Sequence, residues 1–476
     1  KIHSILVVAG IVCLAGAVFH IVDKGRIFQK QTIIWSEEQK GSYVQAAKKA
    51  PVYFADQTFK KRIQQEIDGV ADKQKSGKAY YVSPKGNDKA KGSKKKPFRT
   101  FKRACKSLKP GDTLYVRGGI YTENIRLGKK QSGTKKKYVT ICNYPGEEPV
   151  ISGKKKKAEL MKITGASYLR ISGLEFQDAK GQDSCGIKIA PGSHHIVISG
   201  NKIHQISVPD PKKEDHCANG ILLFGEKAKK EIHNILIYNN NLYDCQTGWA
   251  ECISVAANCR NINVISNRIK NTGNIGIDVT GNYGYCSDLI YQNRVEQCVS
   301  PYATSYGIYV DGAKEVQILK NQVRKCSGGI EIGAEEKPPK EEYSTSDILV
   351  QDNRIVDNIE NGITVGGYQK NLGWVKNVRI LNNRCKNNGK DNAILTLAKC
   401  KNITLKQNTF QNMSGDAAVV YAEFPEKYTK NIQFQNNKYY NGHSKNKTLF
   451  VYRGKTYTSF SKWKKVVGKQ AGVYQK

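Results

Sequence analysis

Acidic residues are scarce in this 476-residue chain, with 41 Asp and Glu against 77 Lys and Arg and a net charge of +36. Such a balance points the surface towards polyanions, either an acidic polysaccharide or an anionic cell envelope, with solvation by lysine as the simplest alternative. No compact nucleic-acid-binding module is present, so nucleic acid is not an expected partner. The 13 cysteines contain no CxxC pair, which excludes a zinc ribbon or a thioredoxin-like centre. Several, such as Cys252 and Cys385, stand where equivalent segments carry interior residues, so buried thiols are expected rather than disulfides. Only one long apolar run exists, residues 5–22, interrupted by His20 alone. Its length suits a signal peptide or a membrane anchor, which predicts an exported, extracellular or cell-surface protein tethered through residues 1–24.

What is abundant is a repeat. The phrase Asn, any residue, apolar residue recurs at Asn201, Asn240, Asn267, Asn293, Asn321, Asn353, Asn383, Asn408 and Asn437. The intervals of 39, 27, 26, 28, 32, 30, 25 and 29 residues, each filled with β-formers, predict a solenoid. Stacked coils lie about 4.8 Å apart, so the Asn side chains are expected to form an amide ladder inside a bend, with a structural role. Residues 25–78 are charged and free of the repeat, and read as a stalk. Residues 79–476 then form the solenoid, with an N-terminal capping region at 79–160, helical over Phe98 to Leu108, and a short C-terminal cap at 442–476. A monomer is expected.

Residues 80–153 carry Gly86-Asn87-Asp88, the segment from Pro97-Phe98 through Pro110-Gly111-Asp112 to Ile120-Tyr121, Ser132-Gly133-Thr134, and Tyr144 to Gly153. This stretch resembles the entry to the right-handed parallel β-helix of polysaccharide lyases, with family-nine pectate lyases as the nearest comparison. The resemblance implies an all-β right-handed parallel β-helix of about ten coils, with an N-terminal helical cap, that acts on a polysaccharide, most readily an anionic one. It also implies calcium-assisted β-elimination. The family's dense Asp-Asp-Gly-Trp-Asp calcium motif is not matched, however, because the corresponding coil reads Gln246-Thr247-Gly248-Trp249-Ala250-Glu251.

A second repeated phrase aligns the coils: SCGIKIA from 184, ANGILLF from 218, AECISVA from 250, NIGIDVT from 274, SYGIYVD from 305, SGGIEIG from 327, ENGITVG from 360 and DNAILTL from 391. With the first Ile inward, alternation places Lys188, Leu222, Ser254, Asp278, Tyr309, Glu331, Thr364 and Leu395 on the outer face, and Asp311 in the neighbouring column. Asp278, Asp311 and Glu331 thus meet on consecutive coils, with Glu251, Glu335 and Glu336 near enough to join them. Stacked like charges repel unless a cation or shared protons relieve them. Two chemistries need such a group. A lyase would use Asp278, Asp311, Glu331 and Glu251 to hold calcium, with Lys314 or Tyr309 as base. A glycoside hydrolase would use a carboxylic acid and a carboxylate. A non-catalytic glycan-binding surface protein is the third class. Tyr283, Tyr285 and Tyr368 suit sugar stacking, Lys188 suits substrate contact, and His216 beside Asp215 is a weaker base candidate.

Overall fold

The computed structural model describes residues 77–475 except 157–158, 226–229, 283–284, 336–343, 390–391, 414–417 and 444–446. The anchor expected over 1–24 and the stalk expected over 25–78 lie outside the described residues, apart from residues 77 and 78, and no described helix is long and apolar enough to cross a membrane. The rest is a right-handed parallel β-helix of three sheets, each with 13 strands. That is close to the expected ten coils, and the stack already begins at Ala79–Val82, well before the first ladder Asn.

Each coil passes through sheet A, then B, then C, as in Cys259–Ile265, Arg268–Thr272 and Ile277–Thr280. Alternation builds the core. Ile187, Ile221, Ile253, Ile277, Ile308, Ile330, Ile363 and Leu395 stand in register along the inner face of sheet C and are fully buried. Leu395 therefore corrects the alignment of the DNAILTL coil, where Thr396 pairs with Thr364 on the outer face. A one-residue slip exchanges the two faces of a strand, and this coil has Ile394 where most others have Gly. The glycine is needed elsewhere: a Cβ on Gly329 would lie 2.5 Å from Ile355 Cγ2 and 2.2 Å from the next coil's Gly362 carbonyl oxygen.

The Asn ladder runs unbroken from Asn201 to Asn437, with every member buried. Asn321 is typical. Its Oδ1 accepts from the backbone N–H and side-chain amide of Asn293 at 2.9 and 3.1 Å, while its own amide donates to Ile290 O and Asn353 Oδ1 at 2.9 and 3.0 Å. The residue before each ladder Asn turns the corner from A to B in the left-handed region, as at Asp352 (φ 57°) and Asn382 (φ 55°).

At the N-terminal end the helix is Phe101–Ser107, shorter than predicted. Phe98 instead bridges to Val82, and Thr100 caps the helix by accepting from Arg103 N–H at 3.1 Å. At the C-terminal end the strand Gly472–Tyr474 adds a last rung to sheet B, and Trp463 of helix Phe460–Val467 stacks on Phe450 at 4.4 Å. All twelve cysteines outside the N-terminal run are free thiols, ten of them buried, as expected.

Candidate active site

Four strands of sheet C set the site: Ile253–Ala256, Ile277–Thr280, Tyr306–Asp311 and Gly328–Gly333. Register places Ser254, Asp278, Tyr309 and Glu331 in one outward row, and Ala256, Thr280, Asp311 and Gly333 in the next. Asp278 and Glu331 are two rungs apart, about 9–10 Å at the backbone, and Asp311 lies diagonally from Asp278 at about 7–8 Å. Glu251 precedes the first of these strands by two residues, while Glu335 follows the last and Glu360 precedes the next coil's strand Asn361–Val365.

These carboxyls face outward yet are nearly inaccessible: Asp278 is 0% exposed, Glu251 3%, Asp311 5% and Glu331 7%. Glu335 and Glu360 are half-buried at the margin. Burial pushes Glu251 up to about 7, partly offset by Ser254, and pushes Glu335 up to about 7 with Asp311 adding to it. Burial raises Asp278 well above the usual carboxylate range, with the charges of Glu251, Asp311 and Glu335 adding to it. Glu331 is raised in the same way, by burial first and then by Glu335, Asp311 and Glu360. Ser254 Oγ donates to Asp278 Oδ2 at 3.4 Å, whereas Asp278 Oδ1 is buried with no hydrogen-bond partner. The Glu335 backbone N–H donates to Asp311 Oδ1 at 3.0 Å.

Two tyrosines shape the floor. A Cβ at Gly328 would meet the Tyr306 ring at 2.2 Å and one at Gly333 the Tyr309 ring at 3.0 Å, so each glycine leaves room for a ring lying along the stack. The Tyr306 hydroxyl reaches Thr364 Oγ1, two rungs on, at 3.1 Å. Asp278, Asp311, Glu331, Glu251 and Tyr309 are thus brought together as the sequence predicted. Lys314 opens the sheet A strand Lys314–Leu319 just past the corner. Lys188 is three rungs from Asp278 and is ion-paired with Glu159 at 3.2 Å. Tyr368 is half-buried in the turn after Asn361–Val365. Glu336, Tyr283 and the side chain of Tyr285 lie outside the described residues. His216 bonds the Asp210 carbonyl at 2.9 Å as an ordinary loop residue. Sequence reasoning missed Tyr306 and Glu360. Glu360 had a signal, since it precedes its strand in the aligned phrase much as Glu251 does. Among the described residues no three His, Cys, Asp or Glu side chains gather closely enough to hold a metal ion, so the carboxylates do not fit a ready-made calcium cage.

Residues 80–402 match the model of the Pel9A-like right-handed beta-helix region. The chain belongs to this Pel9A-like family. It is 29% identical over 434 residues to the uncharacterized protein YwoF of Bacillus subtilis, a match covering 85% of this chain and 89% of that protein. It is 35% identical over 164 residues to pectate lyase PEL9 of Emericella nidulans, covering 34% of this chain and 39% of the lyase. Among solved structures, the native GH136 lacto-N-biosidase from Eubacterium ramulus shares the fold with a TM-score of 0.53 at 14% identity, over 80% of this chain and 70% of that one. Within the Pel9A-like frame, the segment from Gln246 to Glu251 is held by packing. Trp249 lies 5.7 Å from the Tyr302 ring and donates from Nε1 to Lys212 O at 3.0 Å, and the Tyr302 hydroxyl bonds Gly248 O at 3.1 Å.

Proposed function

We propose that this chain is a polysaccharide-cleaving enzyme that hydrolyses glycosidic bonds with the carboxyl groups of sheet C. The observation that supports it best is Asp278, a fully buried acid whose Oδ1 has no partner and which burial and the neighbouring carboxylates hold neutral. A neutral buried carboxyl is the form a general acid requires. Asp278 donates its proton to the leaving glycosidic oxygen as the C–O bond breaks. Asp311, whose Oδ1 accepts the Glu335 N–H, takes a proton from the water that attacks the anomeric carbon. One water is consumed, and the two carboxyls exchange protonation states before solvent resets them. Their backbones stand about 7–8 Å apart on the diagonal, a placement compatible with the roughly 6.5–9.5 Å between carboxyls that inversion needs. Burial, with the charges of Glu251, Asp311 and Glu335 adding to it, keeps the Asp278 proton in place.

Family membership and the match to pectate lyase PEL9 favour a second reading, β-elimination on an acidic glycan. Lys314 or Tyr309 would then take the proton beside the uronate carboxyl. An extracellular polymer as substrate agrees with export through the apolar run at 5–22, and we propose a monomer at the cell surface. Incubation with neutral and uronate polysaccharides, with calcium or with chelator, separates the readings. Reducing ends that form in chelator support hydrolysis, and ultraviolet absorbance of unsaturated ends that demands calcium supports elimination. Binding without turnover on every substrate would sink both.

A further inference from the structure

The outer face of sheet B carries a second charged array, unrelated to the acids. On five successive rungs, strands Arg268–Thr272, Arg294–Cys298, Gln322–Arg324, Arg354–Val356 and Arg384–Lys386 lie in parallel register. One outward row reads Arg268, Arg294, Gln322, Arg354, Arg384, and the row two residues on reads Lys270, Glu296, Arg324, Val356, Lys386. Seven of these ten positions are cationic and one is acidic. Glu296 is 4% exposed and pairs with Arg294 and with Arg324, the latter at 3.0 Å. Arg268, Arg354 and Arg384 are exposed, and no ion pair is found for them among the described residues. Two acids at the corners of one rung, Asp352 and Asp357, accept from Asn382 and Asn387 side chains at 2.6 and 3.4 Å.

Like charges stacked about 4.8 Å apart cost stability. The choice of cation is also unusual. Only 15 of the chain's 77 cationic residues are arginine, yet five of the seven here are. Lysine would supply the same charge, whereas guanidinium adds a planar fork that binds an anionic oxygen pair in bidentate fashion. A flat row of such forks repeating at one rung suits a linear polymer that presents one carboxylate at similar intervals.

We propose that this face of sheet B is a non-catalytic binding site for a linear acidic polysaccharide, lying along the stack axis and gripped through Arg268, Arg294, Arg354 and Arg384. A single-stranded nucleic acid fits less well, because the two rows hold no aromatic ring on which a base could stack. A membrane fits less well because Val356 is the one apolar side chain in the rows. The site is separate from the acids of sheet C and stands whether those acids hydrolyse, eliminate or do neither.

The test compares the wild-type chain with a triple variant, Arg268→Gln, Arg354→Gln and Arg384→Gln, which leaves the Glu296 pairs intact. Binding to polygalacturonate, dextran, double-stranded DNA and phosphatidylglycerol vesicles is measured at two salt concentrations. The triple variant should lose on the order of 100-fold in affinity for polygalacturonate and bind with a shallower salt dependence. Its thermal midpoint should be unchanged or higher, since repulsion is relieved. The triple Arg→Lys variant should recover only part of the affinity. Equal polygalacturonate affinity in wild type and triple Gln variant would overturn the proposal. So would tighter binding of DNA or vesicles than of polygalacturonate, lost in that variant.

Discussion

Replacing Asp278 by Asn should make the protein more stable while abolishing its activity, and the stability gain should grow with pH. In the unfolded chain the Asp278 carboxyl ionises around its ordinary value of 3.8, whereas burial and the charges of Glu251, Asp311 and Glu335 hold it neutral in the fold. Above that value the folded state therefore retains a proton that the unfolded state releases, so stability falls as pH rises. A carboxyl held neutral loses stability at up to about 1.36 kcal/mol for each pH unit above 3.8, so the cost grows between pH 5 and pH 7. An amide avoids that cost. Its oxygen still accepts from Ser254, and its NH2 group faces carboxylates able to accept from it. Part of the gain goes to repacking the amide, so we expect about 2 kcal/mol at pH 7 and essentially none near pH 4. Turnover should fall by roughly 10²–10⁴, the usual worth of a general acid. Urea unfolding at pH 4, 5.5 and 7, with reducing-end assays on the same samples, measures both. A variant whose stability advantage does not widen with pH would refute the protonation argument, and one that keeps wild-type turnover would remove Asp278 from the chemistry.

Glu251, raised from 4.5 to about 7, binds a proton that the unfolded chain has released across that interval, so its contribution to stability is lost as pH rises from 4.5 to 7. Glu251→Gln should flatten the fall in urea midpoint over that window by up to about 3 kcal/mol, and an unchanged slope would contradict the assignment. Asn321→Ala removes four buried hydrogen bonds and should cost about 4 kcal/mol in chemical denaturation. Asn402→Gly, which breaks two exposed bonds to Asn377 and Asn431 at a residue with φ 57°, should cost under about 1 kcal/mol, and equal losses would mean that burial of the ladder is unimportant. Gly329→Ala should lower the thermal midpoint by an amount equivalent to about 1–3 kcal/mol through the clash with Ile355 and Gly362, and a neutral result would show that the corner yields.

The repeat made the architecture legible because each coil must solve the same two problems, a bend at the Asn and an inward apolar face. The same alternation put Asp278, Tyr309 and Glu331 in one row without coordinates. It failed at the DNAILTL coil, where Ile394 imitates the inward Ile and Leu395 takes its place. A period-two pattern carries no phase of its own once the flanking Gly is lost. Outwardness also misled about exposure. An outward Asp278 reads as solvated, yet it is fully buried beside Ser254, Glu251 and Asp311. Tyr306 was hidden for a related reason: it lies outside the strict alternation, before the corner Gly307, and its reach over Gly328 to Thr364 depends on side-chain direction.

Asp278, Asp311 and Glu331 belong to strands hydrogen-bonded on both sides, so their backbones cannot approach or part without breaking the sheet. No hinge separates Asp278, Asp311 and Glu331. A sugar ring bound there meets an unyielding die, and the bending required on the way to the transition state falls on the substrate. Speed would then depend on how readily a given ring distorts, and selection among glycans would follow ring stiffness as much as the pattern of hydroxyls.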